Sequence, residues 1–116
     1  MACRVLVTGV SGFVGGALGV HLRAHGGFQV TGISRTPARD GAVDRFVAHD
    51  LTRPLPRSLG TFDAIVHAAA LSSPWGPPAA FRAQNVDATR HMLAFARETG
   101  CRKFVFISSR DRKSVV

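Results

Sequence analysis

A glycine-rich turn close to the N-terminus carries the clearest chemistry in this sequence. It reads T-G-x-x-G-x-x-G from Thr8 to Gly15, with an apolar run before it and a helix-prone run after it. A buried strand, a glycine turn and a helix in that order leave backbone N–H groups free at the positive end of the helix dipole, where a pyrophosphate can bind. Gly9 would allow the tight turn, Gly12 the close approach of the phosphates, and Gly15 the close packing of helix on strand. An ordinary glycine turn is the alternative.

The elements that must position this turn alternate between strand and helix along the chain. Short, continuously apolar strands separated by helices are typical of a parallel sheet that helices cover on both faces. The predicted strands are Arg4–Thr8, Phe28–Ser34, Arg45–Ala48, Ala64–His67 and Lys103–Ser108, and the predicted helices are Phe13–His25 and Ala79–Thr99. We therefore expect an α/β fold with a Rossmann-like, doubly wound parallel sheet in residues 1–109.

Length and composition restrict the class of protein. The 116 residues suffice for one small domain. Glycines and Ser11 interrupt the first apolar stretch, so the N-terminus does not resemble a secretory signal, and no segment approaches the roughly 18 apolar residues of a membrane span. Cys3 and Cys101 lie far apart and match no metal-binding spacing. We expect a cytoplasmic chain with reduced thiols, no metal and no membrane partner.

The formal net charge of +8 comes from arginines spread along the chain. No run of basic residues is longer than two, whereas nucleic-acid binding usually shows a basic stripe with interleaved aromatic residues. The charge indicates a surface that favours anionic ligands such as a dinucleotide phosphate, and nucleic-acid binding is the less favoured alternative. His21 and His25 share one predicted helix face but lack a third ligand, so we interpret them as solvated.

Five sequence blocks occur in the order that one enzyme family shows. They are Thr8–Gly15, His49–Leu51, Asp63–Ala70, Asn85–Val86 and Phe104–Ser109. On these blocks the chain, up to about Ser109, resembles the N-terminal part of the extended short-chain dehydrogenases/reductases, the NAD(P)-dependent epimerase/dehydratase family. The segment Ser72–Gly76 resembles the 3β-hydroxysteroid dehydrogenase-like branch of that family.

The resemblance assigns roles to individual residues. Asp50 would accept a hydrogen bond from the adenine amino group, or would only cap its loop. Asn85 would support the hydrogen-bond network of the active site, or would be an exposed or capping residue. Ser109, with Ser108 as the fallback, would orient the substrate oxygen, or would be a turn serine. The catalytic set is Ser109 and Asn85, and the cofactor-binding set is Gly9, Ser11, Gly12, Phe13, Val14, Gly15, Ser34, Arg35, Asp50, Leu51, Ala68, Ala69 and Ala70.

Two of these groups have a simple physical interpretation. The small side chains of Ala68–Ala70 would let the cofactor pass over the end of a strand, although ordinary tight packing is the alternative. Arg35 follows the second strand, where a carboxylate would bind both ribose hydroxyls and select NAD. A guanidinium fits a 2′-phosphate bidentately, so NADP is favoured over NAD. Stacking of Arg35 over the adenine is the alternative.

The chemistry of this family needs a Tyr-x-x-x-Lys pair, whose lysine lowers the pKa of the tyrosine so that it takes a proton while hydride moves to nicotinamide. This sequence contains no tyrosine, and in the family the pair lies beyond the fifth strand. We therefore expect a sheet truncated after that strand and no catalysis by these residues alone. Residues 111–116 can be translated from a common short-read sequencing adapter, which predicts a non-native tail over 110–116. A natural basic tail is the alternative.

The sequence thus predicts the NAD(P)-binding part of an epimerase/dehydratase-type oxidoreductase. Its substrate would be a small hydroxyl or keto compound, such as a sugar nucleotide or a steroid-like molecule, and the parent protein would be a homodimer. The alternative is a non-catalytic module that senses NAD(P). A Tyr-x-x-x-Lys pair in a longer gene would favour the enzyme.

Overall fold

The architecture is a five-stranded parallel sheet with one long helix packed on each face. A computed structural model describes residues 3–10, 13–38, 41–68 and 78–107. Within these residues the elements are β1 (Cys3–Thr8), α1 (Phe13–His25), β2 (Phe28–Ser34), β3 (Arg45–Ala48), β4 (Ala64–His67), α2 (Pro78–Thr99) and β5 (Lys103–Phe106). The predicted α/β class and parallel sheet are confirmed.

The elements differ from prediction in four places. β1 begins one residue earlier than predicted. α2 also begins one residue earlier, at Pro78, because the N–H that proline lacks would have no partner in the first helical turn. A short 3-10 helix, Arg57–Leu59, lies in the loop before β4, where the sequence predicts no regular structure. β5 extends to Phe106, and the predicted end at Ser108 lies outside the described residues.

The strand order creates a crevice in the middle of the sheet. The order is β3-β2-β1-β4-β5, and all neighbouring strands are parallel. The chain therefore builds outward from β1 through β2 to β3, then crosses back to place β4 on the other side of β1. In open α/β sheets, ligands bind beyond the carboxyl ends of the strands at such a reversal. The ends of β1 and β4 meet at that point.

The two faces of the sheet bury two separate apolar cores, because successive strand residues point to opposite faces. Val5 and Val7 of β1 pack with Leu18 and Leu22 of α1. Leu6 lies on the opposite face, in the core that α2 covers. That second core consists of Leu6, Ile33, Leu51, Leu59, Phe62, Ile65, Ala88, Met92, Phe95 and Ala96. The helices thus pack on opposite faces of the sheet, α1 on β2 and β1 and α2 on β4.

Candidate functional site

The glycine turn between β1 and α1 depends on two glycines whose geometry the structure describes. Gly9 has a φ of +69°, in the left-handed region that favours glycine. A Cβ on Gly15 would lie 2.2 Å from the carbonyl oxygen of Gly9 and 2.7 Å from its carbonyl carbon. No side chain fits there, so α1 packs directly on the end of β1. These are the conformations predicted for the first and third glycines, while cofactor contact by either one stays a prediction.

Behind the turn, the last residue of β1 is bonded to the last residue of β4. Thr8 Oγ1 lies 2.8 Å from Nδ1 of His67 and accepts the backbone N–H of Ala68 at 2.9 Å. The hydroxyl and Nδ1 share one hydrogen bond, and which of them donates depends on the tautomer of the imidazole. Both side chains are fully buried. The pair ties together the carboxyl ends of β1 and β4, the two strands between which the strand order reverses.

Burial lowers the pKa of His67 from 6.5 to about 4, because the apolar surroundings disfavour the charged imidazolium. The rings of Phe104 and Phe106 lie beside it, with centroids 6.4 Å and 5.6 Å from that of the imidazole. Within the described residues, Nε2 has no hydrogen-bond partner. His67 is therefore a neutral, structural histidine at neutral pH. The sequence places it on a strand but gives no signal of its partner.

The end of β2 carries the two residues assigned to the ribose of the cofactor. Ser34 is buried, and its hydroxyl donates to the backbone carbonyl of Thr36, which turns the chain sharply after the strand. Arg35 lies between them and is exposed. The guanidinium is therefore free to meet an anion at this edge of the sheet.

The loop after β3 holds Asp50 in a tight turn. Its Oδ1 accepts both the backbone N–H of Thr52, at 2.9 Å, and the hydroxyl of the same residue, at 2.7 Å. These two bonds, against the opposing effect of burial, lower the pKa of Asp50 from its ordinary value, and the positive charges of Arg35 and Arg53 lower it further. The carboxylate is therefore a loop cap and an ionised acceptor at once, because both bonds use the same oxygen.

Of the predicted site residues, Gly9, Ser34, Arg35, Asp50 and Ala68 lie at the carboxyl ends of the strands. Phe13 and Val14 begin α1, Leu51 is buried in the core under α2, and Ala68 follows β4. Asn85 lies within α2. Ser11, Gly12, Ala69, Ala70 and Ser109 lie outside the described residues. Thr8 and His67 belong to two of the sequence blocks, but the sequence carries no signal for their contact or for that of His91, since the partners lie 40 or more positions away.

Two other kinds of feature, a metal centre and a membrane-spanning helix, have no counterpart in the described residues. No group of three or more histidine, cysteine, aspartate or glutamate side chains lies close enough to hold a metal ion in the described ranges. Across the same part of the chain, no helix has the length and apolar character needed to cross a bilayer. His21 and His25 are both exposed, which agrees with their interpretation as solvated.

Comparisons with known proteins show which family the chain resembles. The family model described as NAD dependent epimerase/dehydratase family matches residues 5–112. The uncharacterized protein YbjS of Escherichia coli (strain K12) is 32% identical over 114 residues, covering 91% of this chain and 34% of YbjS. A solved UDP-galactose 4-epimerase is 30% identical with a TM-score of 0.78, covering 91% of this chain and 38% of the epimerase.

A further solved relative belongs, by its name, to the superfamily that the sequence blocks resemble. It is a short-chain dehydrogenase/reductase superfamily protein from Agrobacterium tumefaciens with bound NAD, 34% identical, with a TM-score of 0.75 over 91% of this chain and 32% of that protein. The chain spans about a third of the length of each of these relatives. The predicted resemblance is confirmed at the level of the superfamily, and the chain belongs to the NAD dependent epimerase/dehydratase family.

Proposed function

We propose that this chain is the dinucleotide-binding part of an epimerase/dehydratase-type oxidoreductase. The observation that carries the proposal is the cradle at the end of β1, where a Cβ on Gly15 would lie 2.2 Å from the Gly9 carbonyl oxygen. The helix can approach the strand that closely only with glycine at this position. Its N-terminal N–H groups then lie at the strand reversal, where a pyrophosphate is stabilised by the helix dipole. Gly12 and Ser11, and Phe13 and Val14, would complete this cradle.

The adenosine end of the dinucleotide would lie across the ends of β2 and β3. Asp50 would accept the adenine amino group through Oδ2, because the two hydrogen bonds from Thr52 both go to Oδ1. Ser34 and Arg35 would lie beside the ribose. Ala68, Ala69 and Ala70 would leave room for the cofactor at the end of β4. These residues fit a dinucleotide because they combine an anion cradle, an ionised acceptor and an exposed cation at one edge.

We propose NADP as the preferred dinucleotide. Arg35 is exposed where a carboxylate would select NAD, and a guanidinium can bind a 2′-phosphate with two parallel hydrogen bonds. The Agrobacterium tumefaciens relative has bound NAD, so the preference is a property to be measured on this chain. Arg35→Asp should reverse it.

The binding experiment is a titration of the chain with NADPH and with NADH, followed by nucleotide fluorescence. We expect tighter binding of NADPH and a reversed preference in Arg35→Asp. Arg102→Asp is the matched control, since Arg102 is exposed next to the start of β5, at the opposite edge of the sheet. Equal affinities for the two nucleotides would refute the NADP preference, and no binding of either would refute the proposed function.

The parent activity is proposed from the relatives. The solved UDP-galactose 4-epimerase acts on a sugar nucleotide, as its name states, so we propose a sugar nucleotide as the substrate class, with a steroid-like compound as the second candidate. When bound, the nicotinamide supplies or accepts hydride. Ser109 would orient the substrate oxygen, and Asn85 would support the hydrogen-bond network of the active site. With no tyrosine in the sequence, we expect no hydride transfer by these 116 residues, and turnover by the purified chain would refute that assignment of roles.

Two broader properties complete the proposal. Cys3 and Cys101 are free thiols, which fits a cytoplasmic protein. The resemblance implies a homodimeric parent, and the spread of positive charge along the chain disfavours nucleic-acid partners. A non-catalytic sensor of NAD(P) is the alternative function. It would bind the dinucleotide equally well, so a Tyr-x-x-x-Lys pair in the parent gene distinguishes the two.

A further inference from the structure

A histidine of α2 is hydrogen-bonded to the loop that carries Asp50. Nδ1 of His91 lies 3.0 Å from the backbone carbonyl oxygen of Leu51. Because that oxygen can only accept, the imidazole nitrogen must donate, so Nδ1 carries a hydrogen. The side chain of Leu51 is buried in the core beneath α2, together with Met92. The loop is thus fixed to the helix by one apolar and one polar contact, side by side.

The carbonyl that His91 holds belongs to the peptide unit that also bonds Asp50. The Leu51 carbonyl and the Thr52 N–H are the two polar ends of a single planar peptide. His91 donates to the carbonyl end, and the N–H end donates to Asp50 Oδ1 at 2.9 Å. A rotation of that peptide would break both bonds. The orientation of the Asp50 carboxylate therefore depends on the hydrogen bond from α2.

The rest of the loop is closed by local hydrogen bonds. The Arg53 N–H donates to the Asp50 carbonyl at 3.0 Å, and Nε2 of His49 lies 3.3 Å from the Arg53 carbonyl. Both bonds join residues within the loop, so neither fixes its position relative to the sheet. The His49 N–H also donates to the Ser34 carbonyl at 3.0 Å, which ties the start of the loop to β2. Of the hydrogen bonds to loop 49–53 in the described residues, the one from His91 is the one that comes from a helix.

We propose that His91 is a positioning residue for adenine recognition. By holding the Leu51–Thr52 peptide, it keeps Oδ1 of Asp50 occupied by Thr52 and presents Oδ2 to the amino group of the adenine. This inference rests on the proposed dinucleotide binding and adds to it a residue of α2, the helix layer on one face of the sheet. It assigns to α2 a part in selecting the base, in addition to covering the sheet.

The test measures base discrimination. The probes are the tighter-binding of the two nicotinamide dinucleotides and its hypoxanthine analogue, in which a carbonyl replaces the adenine amino group. The wild-type chain should bind the adenine form roughly tenfold more tightly, since a hydrogen bond to a charged acceptor is lost in the analogue. His91→Leu removes the donor but keeps much of the side-chain volume, and should reduce the ratio to roughly twofold or less. His91→Asn places an amide nitrogen where Nδ1 lies and should retain the wild-type ratio.

The controls separate positioning from simple destabilisation. A loss of folded protein weakens both probes equally and leaves their ratio unchanged, whereas misorientation of Asp50 weakens only the adenine form. His21→Leu, an exposed histidine on α1, should leave the ratio unchanged. If His91→Leu does not fold, His91→Ala tests the same loss of the donor.

Each remaining outcome has a defined meaning. Undiminished discrimination in His91→Leu or His91→Ala would overturn the role of His91 while leaving the proposed function intact. Equal wild-type affinity for both probes would overturn it as well, because Asp50 would then not read the amino group. No dinucleotide binding by the wild-type chain would refute the proposed function itself.

Discussion

Aspartates lie at the amino edge of the sheet, where strands begin, and at its carboxyl edge, where strands end. Their hydrogen bonds differ between these two edges. At the amino edge, Asp63 precedes β4 and exchanges two bonds with Arg4: its carboxylate accepts the Arg4 N–H and its own N–H donates to the Arg4 carbonyl, both at 2.8 Å. Asp44 precedes β3, and each of its oxygens has a partner, Arg23 Nε at 3.0 Å and the Val30 N–H at 2.8 Å. At the carboxyl edge, Asp50 receives both of its bonds on one oxygen.

If the proposed dinucleotide binding holds, the difference separates carboxylates that serve stability from the one that serves binding. Carboxylates that precede strands satisfy backbone N–H groups and fix the connections between layers. The carboxylate that follows a strand is held by its own loop, which His91 of α2 holds in turn, and it keeps acceptor capacity on Oδ2 at the carboxyl ends of the strands. Two exposed arginines show a similar contrast: Arg23 is ion-paired with Asp44, which precedes β3, whereas Arg35 follows β2 beside the proposed site. Residue type alone therefore does not distinguish the two roles.

The largest effect is expected at the carboxyl edge, for Gly15→Val. The added side chain collides with the backbone of Gly9, so α1 must move away from β1. We expect a loss of about 3 kcal/mol in the free energy of unfolding and the loss of measurable dinucleotide binding. Urea denaturation and nucleotide titration measure the two effects. Ala17→Val, on an exposed position of the same helix, is the control, and near-wild-type binding by Gly15→Val would show that the cradle does not hold the phosphates.

A second effect of similar size tests the buried pair behind the cradle. The pKa of His67 is about 4 in the folded chain, below its ordinary value of 6.5. Between pH 6.5 and pH 4 the unfolded chain binds a proton that the folded chain excludes, so stability falls as the pH is lowered through this window, by about 3 kcal/mol in total, and is independent of this group above it. His67→Phe removes the titration while keeping a ring in the core.

The measurement is the free energy of unfolding of both proteins at several pH values. Other carboxylates titrate in the same range and affect both chains alike, so the difference between wild type and His67→Phe isolates the histidine. That difference should change by about 3 kcal/mol in favour of the variant between pH 7 and pH 4. A difference that does not change with pH would mean that the imidazole accepts a proton in the folded state.

The smallest effects come from a matched pair of substitutions, one at each edge. Asp63→Asn weakens the acceptor for the Arg4 N–H, so we expect a loss of about 1 kcal/mol in stability and unchanged nucleotide affinity. Asp50→Asn can still accept from Thr52 through its amide oxygen, but it turns an NH₂ group toward the adenine. We expect its stability to change little and its nucleotide affinity to fall roughly tenfold. Thermal melts and titrations of both variants measure the comparison, which fails if the two variants show the same pattern.

Much of this molecule follows from local sequence. The bounds of α1, β2, β3 and β4 agree with prediction, because apolar runs of fixed length between glycines and polar turns specify such elements locally. The conformations of Gly9 and Gly15 follow from one short turn. The parallel sheet follows from the alternation of strands with helices, since parallel neighbours need a crossover connection.

The tertiary structure decided the side-chain contacts around the candidate site, because these contacts join residues far apart in the chain. The pairing of Thr8 with His67 joins positions 59 residues apart, and the bond from His91 to Leu51 spans 40. Nothing in the composition of either segment signals these contacts, since histidines also occur exposed at positions 21 and 25. The same applies to Asp50, whose two bonds with Thr52 are local but whose place beside Arg35 is not. Sequence periodicity determines which elements form, whereas the strand order determines which side chains share an edge, and so which carboxylate supports the fold and which one remains available to a ligand.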